Sequence, residues 1–315
     1  MRRNGDGRRF QVLSNPEFLA EGSAIRDLEQ PDRVLVGSET TREGRTAASV
    51  LAELYANWVP RERILLTNVW SSELSKLAAN AMLAQRVSSA NAMSALCERT
   101  EADVTEISRA VGMDARIGPH FLEAGVGFGG SRFRKDILSL VYVCEQYGLT
   151  EVAEYWRGVI AINDYQIARF VKKVVENMFH TVADKRLAVF GFAFKPESND
   201  TRDSPAIRVC RMLLEERAHL VITDPQALRN ARLDMADAEG LVEFEPVPYA
   251  AADRAHAILL LTKCPQFAFL DYRRIFASMQ QPAFFFDGRN ALDHSHLHEI
   301  GFNVVPIGRG ALLHF

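Results

Sequence analysis

Short apolar runs separated by polar turns open the chain and predict strands mixed with one helix. Three runs have the length of short buried strands, namely RFQVLSNP, DRVLVGS and RILLTNV, and a helix is predicted for REGRTAASVLAELYANW. A dinucleotide-binding domain opens with a strand, a glycine turn and a helix, followed by an acid about 20 residues on. No such unit precedes these strands. We therefore expect residues 1–70 to be the closing, carboxyl-terminal remnant of an NAD-binding type of α/β domain.

From Ser71 onward the pattern changes to long amphipathic helices. Apolar residues recur at spacings of three and four in the segments SSELSKLAANAMLAQRVSSANAMSALCERT, EADVTEISRAVGM, RKDILSLVYVCEQYGL and TEVAEYWRGVIAINDYQIARFVKKVVENMF. A helical block after an α/β segment is suited to pairing with a second copy of itself. We expect a central helical dimerisation domain over residues 71–183, with a monomeric bundle as the alternative.

Strands return after Asp184 and alternate with helices. Six strands are predicted for RLAVFGFAF, HLVITDP, LVEFEP, AILLLTK, PAFFFDGRN and FNVVPIGR, and a helix for SPAIRVCRMLLEERA. This alternation predicts an α/β fold with a doubly wound parallel sheet over residues 184–315. Ligands bind such sheets outside the carboxyl ends of the strands, where Lys195, Asp224, Lys263 and Arg289 suit a phosphorylated ligand.

Composition excludes several classes of protein. The 315 residues are 48% hydrophobic and 24% charged, with a net charge of −3 and scattered basic residues, so we expect no nucleic-acid partner. The segment MRRNGDGRRFQVLSNP lacks the apolar run of a signal peptide, and no stretch predicts a membrane span. We therefore expect a cytoplasmic protein. Its four distant cysteines favour buried free thiols over disulfides or a metal site.

The stretch GVGFGGSRFRKD, residues 125–136, contains the spacing G-x-G-x-x-G at Gly125, Gly127 and Gly130. A dinucleotide fingerprint must follow a strand, whereas the preceding GPHFLEAG predicts a helix and a turn. Two interpretations remain open from the spacing alone. The loop is either a connector without a ligand or a loop whose N–H groups approach a polar ligand beside a helix N-terminus.

Five separated segments resemble the signature motifs of the UDP-glucose 6-dehydrogenase family, within the UDP-glucose/GDP-mannose dehydrogenase superfamily. They are SNPEFLAEG at 14–22, SSELSKLAANA at 71–81, GVGFGGSRFRKD at 125–136, GFAFK with DTRDSPA at 191–206, and FDGR at 286–289. The resemblance covers nearly the whole chain. It implies oxidation of UDP-glucose to UDP-glucuronate with NAD as cofactor, by an oligomer of subunits that each have NAD-binding, central and UDP-binding domains.

The resemblance also implies roles for individual residues. Lys76 and Asn80, four apart on one helix face, would stabilise the oxyanion at the sugar C6, and Glu17 and Asp136 would manage the hydrolytic water. Arg202 and Glu21 would contact the cofactor, and Arg116 would reach the substrate of a neighbouring subunit. The other implied substrate-binding residues are Phe18, Leu19, Ala20, Glu21, Phe121, Gly125, Gly127, Phe128, Gly129, Phe194, Lys195 and Arg289.

Two departures from the family pattern bear on activity. Arg132 stands where the family has its nucleophilic cysteine, and arginine cannot form the covalent thiohemiacetal. No glycine-turn unit precedes the opening strands, so we do not expect this chain to bind NAD appreciably. Smaller departures are Glu123, where a basic residue is familiar, and TKCPQF at 262–267, where the animal enzymes carry an acid and a tryptophan.

We therefore expect a chain that is inactive alone. The alternatives are a non-catalytic UDP-sugar-binding or regulatory subunit that joins full-length copies through the central helix, an incomplete gene model, or an enzyme that stops at the aldehyde.

Overall fold

The computed structural model describes residues 2–3, 9–238 and 240–315. The expected absence of a signal peptide falls partly on residues outside these ranges, namely residues 1 and 4–8. The amino-terminal elements are β1 (Arg2–Arg3), β2 (Arg9–Phe10), α1 (Ala24–Glu29), β3 (Val34–Ser38), α2 (Arg42–Tyr55) and β4 (Ile64–Asn68). Strands β3 and β4 pair in parallel, and α2 covers one of their faces through Ala48, with Val59 of the following turn in the same core. The Thr41 side chain accepts a hydrogen bond from Gly44 N at 3.0 Å and so caps α2.

The strand predicted for RFQVLSNP is wrong over most of its length. Only Arg9–Phe10 is a strand, and Ser14 makes an isolated antiparallel bridge to Gly37. Pro16 has no N–H to donate to a ladder. The Asn15 side chain instead donates to the Leu35 carbonyl at 2.8 Å, so the segment turns away from β3 after Ser14.

Four helices form the middle of the molecule, and they follow the predicted segments closely. They are α3 (Val69–Cys97), α4 (Val104–Gly112), α5 (Phe133–Gln146) and α6 (Thr150–Asn177). Asn68 caps α3 by accepting a hydrogen bond from Ser71 N at 2.8 Å. Buried Ala81 and Ala84 on α3 contribute to one core with Ile137 of α5, since small side chains let the helices pack closely.

The helix predicted within GPHFLEAG is wrong, because residues 118–125 form a turn followed by irregular backbone. Gly118 has a positive φ of 72° and precedes Pro119, which disfavours a helical conformation at the residue before it. Phe121 also takes a left-handed conformation, with φ of 61°.

The carboxyl-terminal elements form a six-stranded sheet covered by helices. They are β5 (Arg186–Phe190), α7 (Pro205–Glu215), β6 (His219–Thr223), α8 (Leu228–Asp234), β7 (Val242–Phe244), α9 (Pro248–Ala252), β8 (Ala257–Leu260), α10 (Tyr272–Ser278), β9 (Phe284–Asp287), α11 (His294–Ile300) and β10 (Asn303–Pro306). All pairs are parallel in the order β10-β9-β8-β5-β6-β7. The predicted α/β class with a doubly wound parallel sheet is confirmed.

The strands of this sheet are buried on both faces, as their continuous apolar sequences require. Val189 and Leu259 belong to the core on one face, and Ala188 and Ile258 belong to the core on the other. Among the described residues, no helix combines the length and the apolarity needed to cross a membrane.

Candidate functional site

The strand order reverses between β5 and β8, which is the switch point where doubly wound sheets bind ligands. The segment after β5 leads to Phe194 and Lys195, and the FDGR segment after β9 ends in Arg289. Arg289 Nε donates to the Leu261 carbonyl at 2.7 Å. Burial lowers the pKa of Arg289 to about 10, so the guanidinium stays charged at neutral pH. The switch point therefore carries a fixed, partly desolvated cation.

Asp224 does not belong to the ligand-facing set that its position after β6 suggested. Its carboxylate is buried and accepts backbone hydrogen bonds from Phe192 N, Ala193 N, Gln226 N and Ala227 N at 2.7–3.0 Å. Because both oxygens are engaged in this way, Asp224 holds the turns after β5 and β6 in shape. Its role is structural.

The glycine loop of residues 125–130 lies against this switch point. Val126 N donates to the Gly288 carbonyl at 3.0 Å, and Gly130 N donates to the Arg202 carbonyl at 3.0 Å. An added Cβ at Gly125 would lie 2.7 Å from Arg289 Nη1, so the absence of a side chain allows this approach. The loop follows irregular backbone, whereas a dinucleotide-binding turn follows a strand.

Buried amide side chains of the long helices hold the glycine loop. Asn91 Oδ1 accepts from Gly125 N at 2.9 Å, and Asn163 Oδ1 accepts from Phe128 N at 2.8 Å. Gln166 Nε2 donates to the Gly125 carbonyl at 2.6 Å. Sequence reasoning missed these three residues, although a signal exists: polar amides lie within the apolar faces of α3 and α6. Several N–H groups expected to meet a ligand are thus used to fix the loop.

Lys76 and Asn80 lie on one face of α3, as their spacing predicts, and each meets an implied partner. Lys76 Nζ donates to the Glu17 carbonyl at 2.6 Å and lies 3.4 Å from Glu17 Oε1. Asn80 Nδ2 donates to Asp136 Oδ2, in the first turn of α5. All four residues assigned to catalysis by resemblance are therefore in two adjoining pairs.

Arg132 occupies the N-cap position of α5 and points into this cluster. Its Nη1 donates to the Leu19 carbonyl, and its Nη2 lies 3.7 Å from Glu17 Oε1. Partial burial raises the pKa of the Glu17 carboxyl, but hydrogen bonding from Leu19 N and the charges of Lys76 and Arg132 outweigh it. The pKa of Glu17 is held below its usual value, so this carboxylate is ionised near neutral pH.

Three cations hold the backbone of residues 17–21 through alternate carbonyls. Lys76 and Arg132 bind the first two of these carbonyls, and Lys195 Nζ donates to the third, that of Glu21. The Glu21 side chain accepts from Ser198 Oγ at 2.6 Å. In the same segment, the centroid of the Phe18 ring lies 3.8 Å from Arg33 Cζ, and Ala20 N donates to Asp27 Oδ2 at 2.8 Å.

Other implied residues lie at the edge of the cluster or away from it. Gly127 packs against Asn163, and Gly129 and Gly130 pack against Phe194. The glycine loop therefore lies directly beside Phe194. Phe121 is exposed beside Phe133. Arg202 is exposed and binds both oxygens of Asp200. Arg116, with 89% of its side chain exposed, pairs with Asp114 and does not join this chain's cluster.

The four cysteines are free and buried. Burial raises the pKa of the Cys210 and Cys264 thiols to about 12, and it also raises the pKa of the Cys97 thiol. These thiols are protonated near neutral pH and have no access to a substrate in the cluster. Among the described residues, no group of three His, Cys, Asp or Glu side chains is arranged to hold a metal ion.

Comparisons with known proteins match this chain along most of its length. Family models described as the NAD binding, central and UDP binding domains of the UDP-glucose/GDP-mannose dehydrogenase family match residues 1–59, 70–165 and 188–294. The first match agrees with the interpretation of the opening strands as part of an NAD-binding domain.

Curated relatives and solved structures agree with the family models. UDP-glucose 6-dehydrogenase 3 of Arabidopsis thaliana is 55% identical over 324 residues, covering 97% of this chain and 68% of the relative. UDP-glucose 6-dehydrogenase 1 of Glycine max is 54% identical, with the same coverage. A UDP-glucose dehydrogenase structure from Pyrobaculum islandicum superposes with a TM-score of 0.82 at 33% identity, covering 96% of this chain and 64% of that one. This chain thus spans about two thirds of the length of these relatives. It belongs to the UDP-glucose/GDP-mannose dehydrogenase family.

Proposed function

We propose that this chain binds a UDP-sugar at the switch point but does not complete the oxidation that the names of its relatives describe. The observation that carries the proposal is Arg132, whose guanidinium is bound to Leu19 and Glu17 at the position of the family's nucleophilic cysteine. An arginine does not deprotonate near neutral pH and cannot trap an aldehyde as a thiohemiacetal. The loss of a covalent nucleophile lowers turnover by several orders of magnitude.

No other thiol replaces the missing nucleophile. The four cysteines are buried, and the raised pKa values of three of them keep those thiols protonated. The polar residues that would assist a nucleophile nevertheless remain. Lys76 contacts Glu17, and Asn80 contacts Asp136. The cluster is therefore suited to binding the sugar without processing it.

The fit of NAD to the described residues is incomplete. Strand β3 leads to α2 through Glu39, Thr40 and Thr41 without a glycine turn, and the glycine loop serves the switch point of the other sheet. Arg202, the implied contact to the cofactor, is bound to Asp200. The described residues thus lack the glycine-rich turn that cradles a pyrophosphate, and we derive no step through the cofactor.

Two measurements test the proposal. Calorimetric titration with UDP-glucose is expected to show binding, which the Arg289→Met variant loses because the phosphate-facing cation is gone. Incubation with UDP-glucose and NAD is expected to form no NADH above background. Turnover comparable to that of a full-length relative refutes the loss of activity, and the absence of UDP-sugar binding refutes the retained site.

A second candidate function is a non-catalytic subunit that associates through α3. The observation that favours it is a series of exposed apolar side chains along this helix, Leu74, Met82, Met93 and Leu96. We expect co-purification with a full-length subunit and a fall in that subunit's activity. A chain that stays monomeric in sedimentation, with and without that subunit, contradicts this role.

A further inference from the structure

Two cations meet on one carboxylate at the α3–α5 end of the site. Lys76 Nζ and Arg132 Nη2 lie 3.4 Å and 3.7 Å from the same oxygen, Glu17 Oε1. The Lys76 side chain is 19% exposed, whereas those of Glu17 and Arg132 are 47% and 49% exposed. The cations therefore form a carboxylate-binding pair that solvent and ligand can reach.

The charge of the cluster depends on residue 132. With Arg132, the two cations balance the carboxylates of Glu17 and Asp136. A neutral side chain at that position leaves a net negative cluster that repels an anion. Asp136 is engaged with Asn80, so Glu17 is the carboxylate that faces both cations. Arg132 therefore makes the cluster more favourable for an anionic ligand group by one full charge.

The position of this pair along the site determines which part of a ligand it meets. The glycine loop begins against Arg289 at the switch point, passes Phe194, and ends where Arg132 starts α5. Under the proposed function, on which this inference rests, the diphosphate lies near Arg289 and Lys195. The sugar then extends along the loop, and its C6 substituent approaches Lys76 and Arg132.

We propose that the site prefers a UDP-hexuronate, which carries a carboxylate at C6, over a UDP-hexose, which carries a hydroxymethyl group there. The ligand carboxylate exchanges with the half-exposed Glu17 carboxylate as the partner of Arg132. The guanidinium fork can bind it through two parallel hydrogen bonds, whereas a hydroxymethyl group offers one oxygen and no charge. Arg132 is thus a specificity-determining residue for binding, and no bond is made or broken.

The test is calorimetric titration of the full chain with UDP, UDP-glucose and UDP-glucuronate. We expect UDP-glucuronate to bind about tenfold more tightly than UDP-glucose, as one partly exposed charge-assisted contact allows. Arg132→Gln is expected to abolish this ratio without changing the affinity for UDP, and Arg132→Lys to restore part of it. The control Arg61→Gln removes an exposed arginine that pairs with Glu53 and is expected to leave the ratio intact.

The outcomes separate this inference from the function on which it rests. If the three ligands bind and UDP-glucose binds as tightly as UDP-glucuronate, the inference is overturned and the UDP-sugar site stands. If the preference survives Arg132→Gln, Arg132 is not its source and the inference is again overturned. If none of the three ligands binds, the proposed function itself fails. A preference that shrinks with added salt in the wild type, and is absent in Arg132→Gln, supports the ionic basis.

Discussion

The variant Gly125→Ala tests whether Arg289 is held in place for a nucleotide. An alanine Cβ would lie 2.7 Å from Arg289 Nη1 and 3.3 Å from the Gly288 carbonyl oxygen, against 3.4 Å for the shortest ordinary contacts. The closest clash is with the guanidinium, which must move by about 0.7 Å or more, whereas the Gly288 carbonyl must give by only about 0.1 Å. The perturbation therefore acts mainly on the cation.

The expected effects on binding and stability differ in size. A hydrogen bond to a charged group contributes about 1.5–3 kcal/mol, so displacing the guanidinium lowers the affinity for UDP roughly 10- to 100-fold. The free energy of unfolding is expected to fall by less than about 1 kcal/mol, below the usual effect of overpacking a rigid core.

Calorimetric titration with UDP and urea unfolding measure the two effects. Gly158→Ala is the matched control, because Gly158 lies within α6 and its added Cβ meets nothing within 4 Å. The control is expected to gain about 0.5–1 kcal/mol of stability and to keep its affinity for UDP. A folded Gly125→Ala variant whose affinity stays within twofold of the wild type refutes the reasoning.

Two further predictions concern charged groups that connect the helices. Glu98→Gln is expected to lower the free energy of unfolding by about 3–5 kcal/mol in urea, because the mostly buried Arg169 then lacks its carboxylate; a loss under about 1 kcal/mol contradicts this. Burial raises the pKa of Asp164, but Arg134 and Arg208 outweigh it and hold the pKa below its usual value. The ionised form therefore stabilises the fold above the unfolded pKa, and this stability is lost as pH falls through the folded pKa. In Asp164→Asn, the free energy of unfolding is expected to fall less steeply as pH drops from about 5 to 2. An unchanged pH dependence contradicts a stabilising contact of Asp164 with Arg134 and Arg208.

The sheet and the long helices could be predicted because their signals are local. Strands such as RLAVFGFAF are continuously apolar because both faces of the sheet are covered, and α3 and α6 repeat apolar residues at helical spacing. The helix expected within GPHFLEAG was wrong for a local reason, the Gly118–Pro119 step, and for a tertiary one. Phe121 adopts a left-handed conformation while its ring packs 6.4 Å from that of Phe133, a contact that local propensity does not include.

The candidate site could be predicted only as a set of residues, without their partners. Motifs indicated Lys76 and Asn80, but the amides that fix the glycine loop come from positions 34 and 35 residues away along the chain, Asn91 and Asn163. Asp224 was wrongly grouped with the ligand-facing residues because sequence places it at a strand end but does not show that its oxygens accept four N–H groups.

The cations of the site already have partners on the chain itself, and this determines how a ligand gains affinity. Lys76, Arg132 and Lys195 donate to the carbonyls of residues 17, 19 and 21, so under the proposed function an anionic ligand would have to exchange with these contacts. The net binding free energy from each exchange is therefore smaller than that of the new contact alone, because an existing contact is lost. Under such exchange, ligand preference depends on the difference in charge between competing groups. A single substitution at residue 132 can then change which sugar nucleotide is preferred while the sheet, the glycine loop and the helices stay as they are.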